Sequence, residues 1–163
     1  KCMNKEAFGK LVIDAQESLY RVAKSILYSD EDCKDAISEA ITKGFEKLDT
    51  LKKDKFAKTW LTRILINECY DILRESKNVE DIDAHTYELG YEEPDNYSEL
   101  YEAIMKLEVD YRTAIVLYYI EGYRIKEIAT MVDSTESAVK KRLARAREKL
   151  RVYLEGGLND EDR

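Results

Sequence analysis

Proline is almost missing from this chain: Pro94 is the one example in 163 residues, alongside six glycines. That scarcity excludes collagen-like, proline-rich and turn-dense β architectures and leaves a largely helical chain. Histidine is equally scarce, with His85 alone, and the three cysteines, Cys2, Cys33 and Cys69, are odd in number and widely spaced. Paired Cys/His spacing for a metal site is absent, so no metal and no cofactor is expected. Cys33 and Cys69 fall on apolar helical faces, as buried free thiols of a reducing cytoplasm do. No apolar run approaches the roughly 18 residues of a membrane span, and no secretory leader opens the chain. Met3 reads as the natural start, with Lys1-Cys2 ahead of it.

Charge is what the chain has in quantity, and its distribution divides the sequence. The net charge is −7. Residues 1–76 carry 14 basic and 14 acidic side chains, and residues 100–163 carry 12 of each. Residues 77–99 hold one lysine and eight acids, so the whole excess lies in the middle. That stretch also loses apolar periodicity and gathers Gly90, Pro94 and three tyrosines (Tyr87, Tyr91, Tyr97). It is expected to be a flexible acidic linker. The fold class is therefore all-α: two small helical domains, an N-terminal helical bundle over 1–76 and a C-terminal domain over 100–155, joined by the linker, with a frayed tail at 156–163.

In the first domain Phe8, Leu11, Val12, Ala15, Leu19, Val22, Ala23 and Ile26 recur at three/four spacing, which predicts one helix over residues 5–28. Ser29 with Asp32 forms a capping-box-like start for a second, running to about Leu51. A lysine-rich break, Lys52-Lys53-Asp54-Lys55, precedes a third over about Ala57–Ser76. In the second domain a short helix around Leu100–Leu107 is followed by another, Tyr111–Glu121, with Asp110 as its expected cap and Gly122 at its end.

The most informative stretch is Ile125–Arg151. Ile125, Ile128, Ala129 and Val132 make the apolar stripe of a short helix. Asp133 takes a tight-turn position, because Asp tolerates a left-handed backbone, and Thr135 is placed to cap the next helix. There Val139, Leu143, Ala146 and Leu150 share one face, and Lys141, Arg142, Arg145 and Lys149 are expected opposite. A solvated basic helix would give the same charges. Small Ala129, the short turn and the basic face together favour a helix-turn-helix that reads DNA.

Further motifs carry a family resemblance along nearly the full chain. Asp32-Cys33-Lys34-Asp35-Ala36-Ile37-Ser38-Glu39-Ala40, Trp60-Leu61-Thr62-Arg63-Ile64 with Asn67 and Asp71-Ile72-Leu73-Arg74, Tyr123–Ala129, and Ala138–Arg147 resemble, in order, signature segments of the extracytoplasmic-function group of bacterial RNA polymerase sigma factors. Departures are local. Ser38 stands where the family usually has glutamine, Phe56 lies four residues before Trp60 instead of three, and Asp133-Ser134 replace a glycine and an apolar residue.

The resemblance implies an alternative sigma factor that binds core RNA polymerase, through its clamp coiled coil and flap, and directs promoter-specific initiation. It implies that Asp35, Ile37, Ser38, Glu39 and Ile41 dock on polymerase. Asn67 is implied as a contact to a flipped-out base of the minus-10 element, with Lys52, Lys53, Lys55 and Lys58 following single-strand phosphates. Thr135, Ser137, Lys140, Lys141, Arg142 and Arg145 are implied as the minus-35 contacts, where Arg or Lys binds guanine or neutralises phosphate. Duller readings stay open: a surface asparagine, a solvated lysine loop, and Trp60 as core packing in place of base stacking. Asp35 and Glu39 share a face, but no pocket, metal set or nucleophile accompanies them, so no catalytic residue is assigned. An anti-sigma factor, in many cases a membrane protein, is the further implied partner. No small-molecule substrate is expected, and the site of action is the cytoplasm. The alternative from another class is a free-standing helix-turn-helix regulator with a helical dimerisation or sensing domain.

Overall fold

A computed structural model of the chain describes residues 3–78 and 98–159. Every regular element among them is helical: α1 (Lys5–Asp14), α2 (Gln16–Ile26), α3 (Asp30–Glu46), α4 (Ala57–Asn78), α5 (Ser98–Lys106), α6 (Val109–Ile115), α7 (Ile125–Met131) and α8 (Glu136–Asn159). The acidic linker lies outside the described residues except at its ends, where α4 reaches Asn78 and α5 starts at Ser98. Helix α8 runs to Asn159, into the stretch expected to fray, and residues 160–163 lie outside the described residues.

Sequence-coded caps start several of these helices. Asn4 accepts the Ala7 N–H at 2.7 Å to begin α1, and Ser29 accepts the Asp32 N–H to begin α3. The first domain buries Phe8, Leu19, Ile26, Leu61, Leu65 and Ile66 almost completely, and the second buries Leu107, Leu117, Ile128, Met131 and Leu143. Each such side chain contributes about 1.5–3 kcal/mol on leaving water. Cys33 and Cys69 are fully buried within the first set.

Three local expectations are corrected. The single helix over 5–28 breaks at Ala15, whose φ of −92° and ψ of 0° flatten the turn while its N–H is shared between the Leu11 and Val12 carbonyls. The bend lets Phe8 and Val12 turn toward α3 while Leu19, Val22 and Ile26 remain inside the bundle. The second helix stops at Glu46 instead of Leu51. A tighter 3₁₀ turn, Leu48–Thr50, follows, and both Leu48 and Leu51 are buried. Glu108, not Asp110, is the N-cap of α6; Asp110 lies in the first turn and accepts the Tyr70 hydroxyl at 3.0 Å.

Helix α6 passes directly into a wide turn, Val116–Ile120, with π-type bonding. The Glu121 N–H reaches the Val116 carbonyl at 2.9 Å and the Tyr123 N–H reaches Leu117 at 3.0 Å. Gly122 follows with φ +75°, a left-handed conformation that glycine adopts without steric cost. The two domains then pack together along one seam, α2 and α4 of the first against α6, the wide turn and α7 of the second.

Candidate nucleic-acid interface

The helix-turn-helix is α7, a tight turn and α8. Asp133 has φ +53° and is the one non-glycine residue with positive φ among the described residues. The Ser134 N–H closes the turn on the Ala129 carbonyl at 2.9 Å. Ala129 is 6 % exposed, and its small side chain allows the close approach. Thr135 caps α8 by accepting the Ala138 N–H at 3.0 Å on Oγ1. That hydroxyl therefore fixes the helix start and places Ser137, which is exposed, one residue before Ala138.

Val139, Leu143 and Ala146 are buried, and Lys140, Lys141 and Arg145 project into solvent. None of these three cations has an ion pair among the described residues. Unpaired cations on a helix face are free to meet phosphate or base edges. Two of the expected opposite-face residues are placed differently. Arg142 is half-buried, because it lies three residues after Val139 and four before Ala146 and so borders the apolar stripe. Lys149 is half-buried as well. It pairs with Glu108 at 3.1 Å and lies 5.1 Å from the Tyr111 ring centre, and its hydrogen bond to Glu108 raises its pKa. A shallow cavity of about 250 Å³ runs between this flank and the start of α6, lined by Glu108, Asp110, Tyr111, Lys141, Arg142 and Arg145.

In the first domain Asn67 is exposed on α4, and no hydrogen bond occupies its amide among the described residues. Lys52, Lys53, Lys55 and Lys58 are all exposed on the loop and first turn that precede it. Lys58 lies 5.7 Å from the Tyr123 ring centre, so one of the four already touches the second domain. Phe56, which the sequence marks only by its spacing from Trp60, is 47 % exposed with Lys55 5.0 Å from its ring centre. An exposed aromatic beside cations is suited to stacking on an unpaired base. The signal for it was an aromatic inside a lysine run with no apolar partner in period. Trp60 is half-buried with its ring edge-on to Phe8 at 6.1 Å, which favours packing over stacking.

On α3 the outward positions Asp35, Ser38 and Glu39 are exposed, and Ile37 and Ile41 are half-buried beside them. Helix α3 packs on α1, α2 and α4, so the contacts between domains leave this face uncovered. The three expected groups thus sit on three separate surfaces: the outer face of α3, the Lys52–Lys58 loop with α4, and the start of α8. Among the described residues no helix is long and apolar enough to cross a membrane.

A lysine loop leading into a helix with a free amide, and a capped helix-turn-helix with unpaired cations, are the surfaces of a nucleic-acid-binding class of protein. Comparison with known proteins agrees. The family description Sigma-70 region 2 matches residues 11–79, and Sigma-70, region 4 matches residues 97–150. RNA polymerase sigma factor SigV of Bacillus subtilis is 31% identical over 146 residues, covering 88% of each chain. ECF RNA polymerase sigma factor SigM of Mycobacterium tuberculosis is 32% identical over 165 residues, covering 94% of this chain and 81% of that one. Among solved structures, the sigma factor RpoE of Bartonella quintana in complex with the anti-sigma factor NepR superposes with a TM-score of 0.77 at 25% identity, covering 91% of this chain and 96% of that one. CnrH in complex with the cytosolic domain of CnrY gives a TM-score of 0.70 at 26% identity, covering 94% and 90%. The chain belongs to the extracytoplasmic-function group of RNA polymerase sigma factors. It is a transcription-initiation factor and not an enzyme.

Proposed function

We propose that the two ends of the chain divide the promoter between them: residues 1–76 engage polymerase and the minus-10 element, residues 100–155 engage the minus-35 element, and 77–99 connect them. In this reading Lys140, Lys141 and Arg145 contact the upstream duplex, with Arg142 at the groove edge and Thr135 and Ser137 at the helix start. Asn67 takes the exposed base, and Lys52, Lys53, Lys55 and Lys58 follow the melted strand. Asp35, Ser38 and Glu39, flanked by Ile37 and Ile41, meet the polymerase clamp. The observation that carries the reading is that the exposed cations at the start of α8 have no carboxylate partner among the described residues. A solvated salt-bridged face would have used them.

The relatives RpoE and CnrH are held in complexes with NepR and the cytosolic domain of CnrY. We infer an anti-sigma partner for this chain too, and a cytoplasmic site of action with membrane tethering wherever that partner is anchored. Run-off transcription with core polymerase tests the division of labour. Alanine at Lys140, Lys141 and Arg145 together is expected to abolish initiation at promoters that need a minus-35 element while core binding persists. Loss of core binding instead, or unchanged initiation, would sink the assignment. Alanine at Asp35 and Glu39 is expected to do the reverse and weaken core binding first.

A further inference from the structure

Every buried residue of α3 is small: Cys33, Ala36, Ala40 and Gly44. Helix α4 lies on this face, with Leu61 against Gly44 and Cys69 within electrostatic reach of Cys33. Small side chains let two helices approach closely but offer few ridges to key into grooves. Such a face fixes the separation of the helices better than their rotation or slide. A directional contact lies beside it. Lys43 of α3 donates from Nζ to Glu68 Oε1 of α4, and the Glu68 side chain is only 12 % exposed. That hydrogen bond raises the Lys43 pKa, and the charges of Glu39 and Asp71 add to the effect.

A carboxylate withdrawn this far from water needs its cation, and it meets that cation at one setting of α4 on α3. The best-attested use of such a pair is to specify register, not to add stability. Its neighbours decide what the register serves. Glu68 directly follows Asn67 on α4, so a rotation of α4 that releases Glu68 also turns Asn67. The Asn67 amide makes no hydrogen bond among the described residues, so only the setting of its helix aims it. On α3, Lys43 follows Glu39 by four residues and shares its face. The ion pair therefore joins the helix with the outward Asp35–Glu39 face to the helix with the free amide.

We propose that Lys43 and Glu68 are positioning residues for base capture: their ion pair sets the rotation of α4 on α3 and so aims Asn67 relative to the face that docks on polymerase. Both act through Asn67, and neither needs to touch DNA. This rests on the assignment of Asn67 to an unpaired promoter base.

The full chain labelled with nitrogen-15 at asparagine provides the first test. Asn67→Ala identifies the Asn67 side-chain amide cross-peak by removing it. Lys43→Met and Glu68→Gln should each shift or broaden that cross-peak, with helical circular dichroism retained. The amide of Asn4, at the start of α1, should stay in place, which general loosening of the domain would not allow. The exchanged pair Lys43→Glu/Glu68→Lys should return the Asn67 cross-peak toward its original position. An Asn67 cross-peak unmoved in both single variants, movement of Asn4 alongside it, or no return in the exchanged pair overturns the proposal.

Run-off transcription with core polymerase is then measured on promoters that differ only at the base assigned to Asn67. Both single variants should flatten the base preference several-fold, as Asn67→Ala does, with core affinity unchanged and the exchanged pair restoring the preference. Wild-type preference in the single variants, where Asn67→Ala loses it, would overturn the positioning role. Weakened core binding with an unmoved cross-peak would make Lys43 a docking residue and would overturn it too. Unchanged preference in Asn67→Ala itself would remove the promoter assignment, and the cross-peaks would then decide the ion pair alone.

Discussion

Gly44 of α3 faces Phe8 of α1 so closely that a Cβ built on the glycine would lie 2.7 Å from Phe8 Cζ, and 3.3 Å from Leu61 Cδ1. The ring cannot easily withdraw. Phe8 is fully buried with Phe45 edge-on at 4.8 Å and Trp60 at 6.1 Å. Gly44→Ala is therefore expected to destabilise the chain by about 1–2 kcal/mol, overpacking outweighing the roughly 1 kcal/mol that alanine gains in helix propensity. Gly9, whose Cβ would meet only Phe45 Cζ at 4.0 Å, is the control. Gly9→Ala should stabilise by about 0.5–1 kcal/mol. Urea unfolding of both variants gives the comparison, and equal signs would contradict it.

Burial pushes the Cys33 thiol up to about 12 and raises Cys69 as well. Both should stay protonated and resist maleimide at pH 8 in the folded chain, then label fully in denaturant, as peptide mapping would read. Since the folded value is raised above the unfolded one, the stability these thiols contribute is present below about pH 9 and is lost as pH climbs toward 12. The urea midpoint should fall over the accessible part of that window. The fall should be shallower in a Cys33→Ala/Cys69→Ala variant.

Arg145 and Lys140 are both exposed on α8 but are given different tasks. With the polymerase complex, Arg145→Ala is expected to cost about 1–3 kcal/mol and relax base preference at one position of the upstream element. Lys140→Ala should weaken all sequences alike and reduce the salt slope by about one. Binding-site selection followed by a salt titration separates the two. An unchanged preference for Arg145→Ala would refute its role in reading bases.

The turn of the helix-turn-helix rests on two local devices. Thr135→Ala removes the cap on Ala138 and should cost about 1 kcal/mol. Asp133→Ala places a Cβ-bearing residue without a polar side chain at φ +53° and should cost a similar amount, about 1 kcal/mol. Asp133→Gly should be close to neutral in comparison. Thermal unfolding midpoints test the order, and Asp133→Ala matching Asp133→Gly would contradict it.

What the sequence made legible follows from what periodicity reports. Apolar residues at three/four spacing mark surfaces that leave water, so the stripes of α2, α3, α4 and α8 could be read directly. The Thr135 cap and the left-handed Asp133 were legible because their chemistry is local. The break at Ala15 was not: no proline or glycine marks it, and the bend answers to packing of Phe8 on a residue 36 positions away. Arg142 was misplaced because a residue flanking the stripe differs from one opposite it by less than a turn. The seam was illegible for a different reason. Ser18, Ser25, Thr62, Arg112 and Thr113 are buried polar residues, and in a sequence they look like solvent-facing ones.

The wide turn at Val116–Ile120 holds one residue more than a regular helical turn. Closing the turn on the fifth residue sets everything downstream back, relative to an uninterrupted α-helix, by about 100° of rotation and about 1.5 Å of rise. Had α6 continued as an ordinary helix, Glu121 would point away from Arg21, and α7 and α8 would leave the bundle at another azimuth. The angular setting of the helix-turn-helix thus depends on a wide turn at the end of α6, a helix that itself packs on α8.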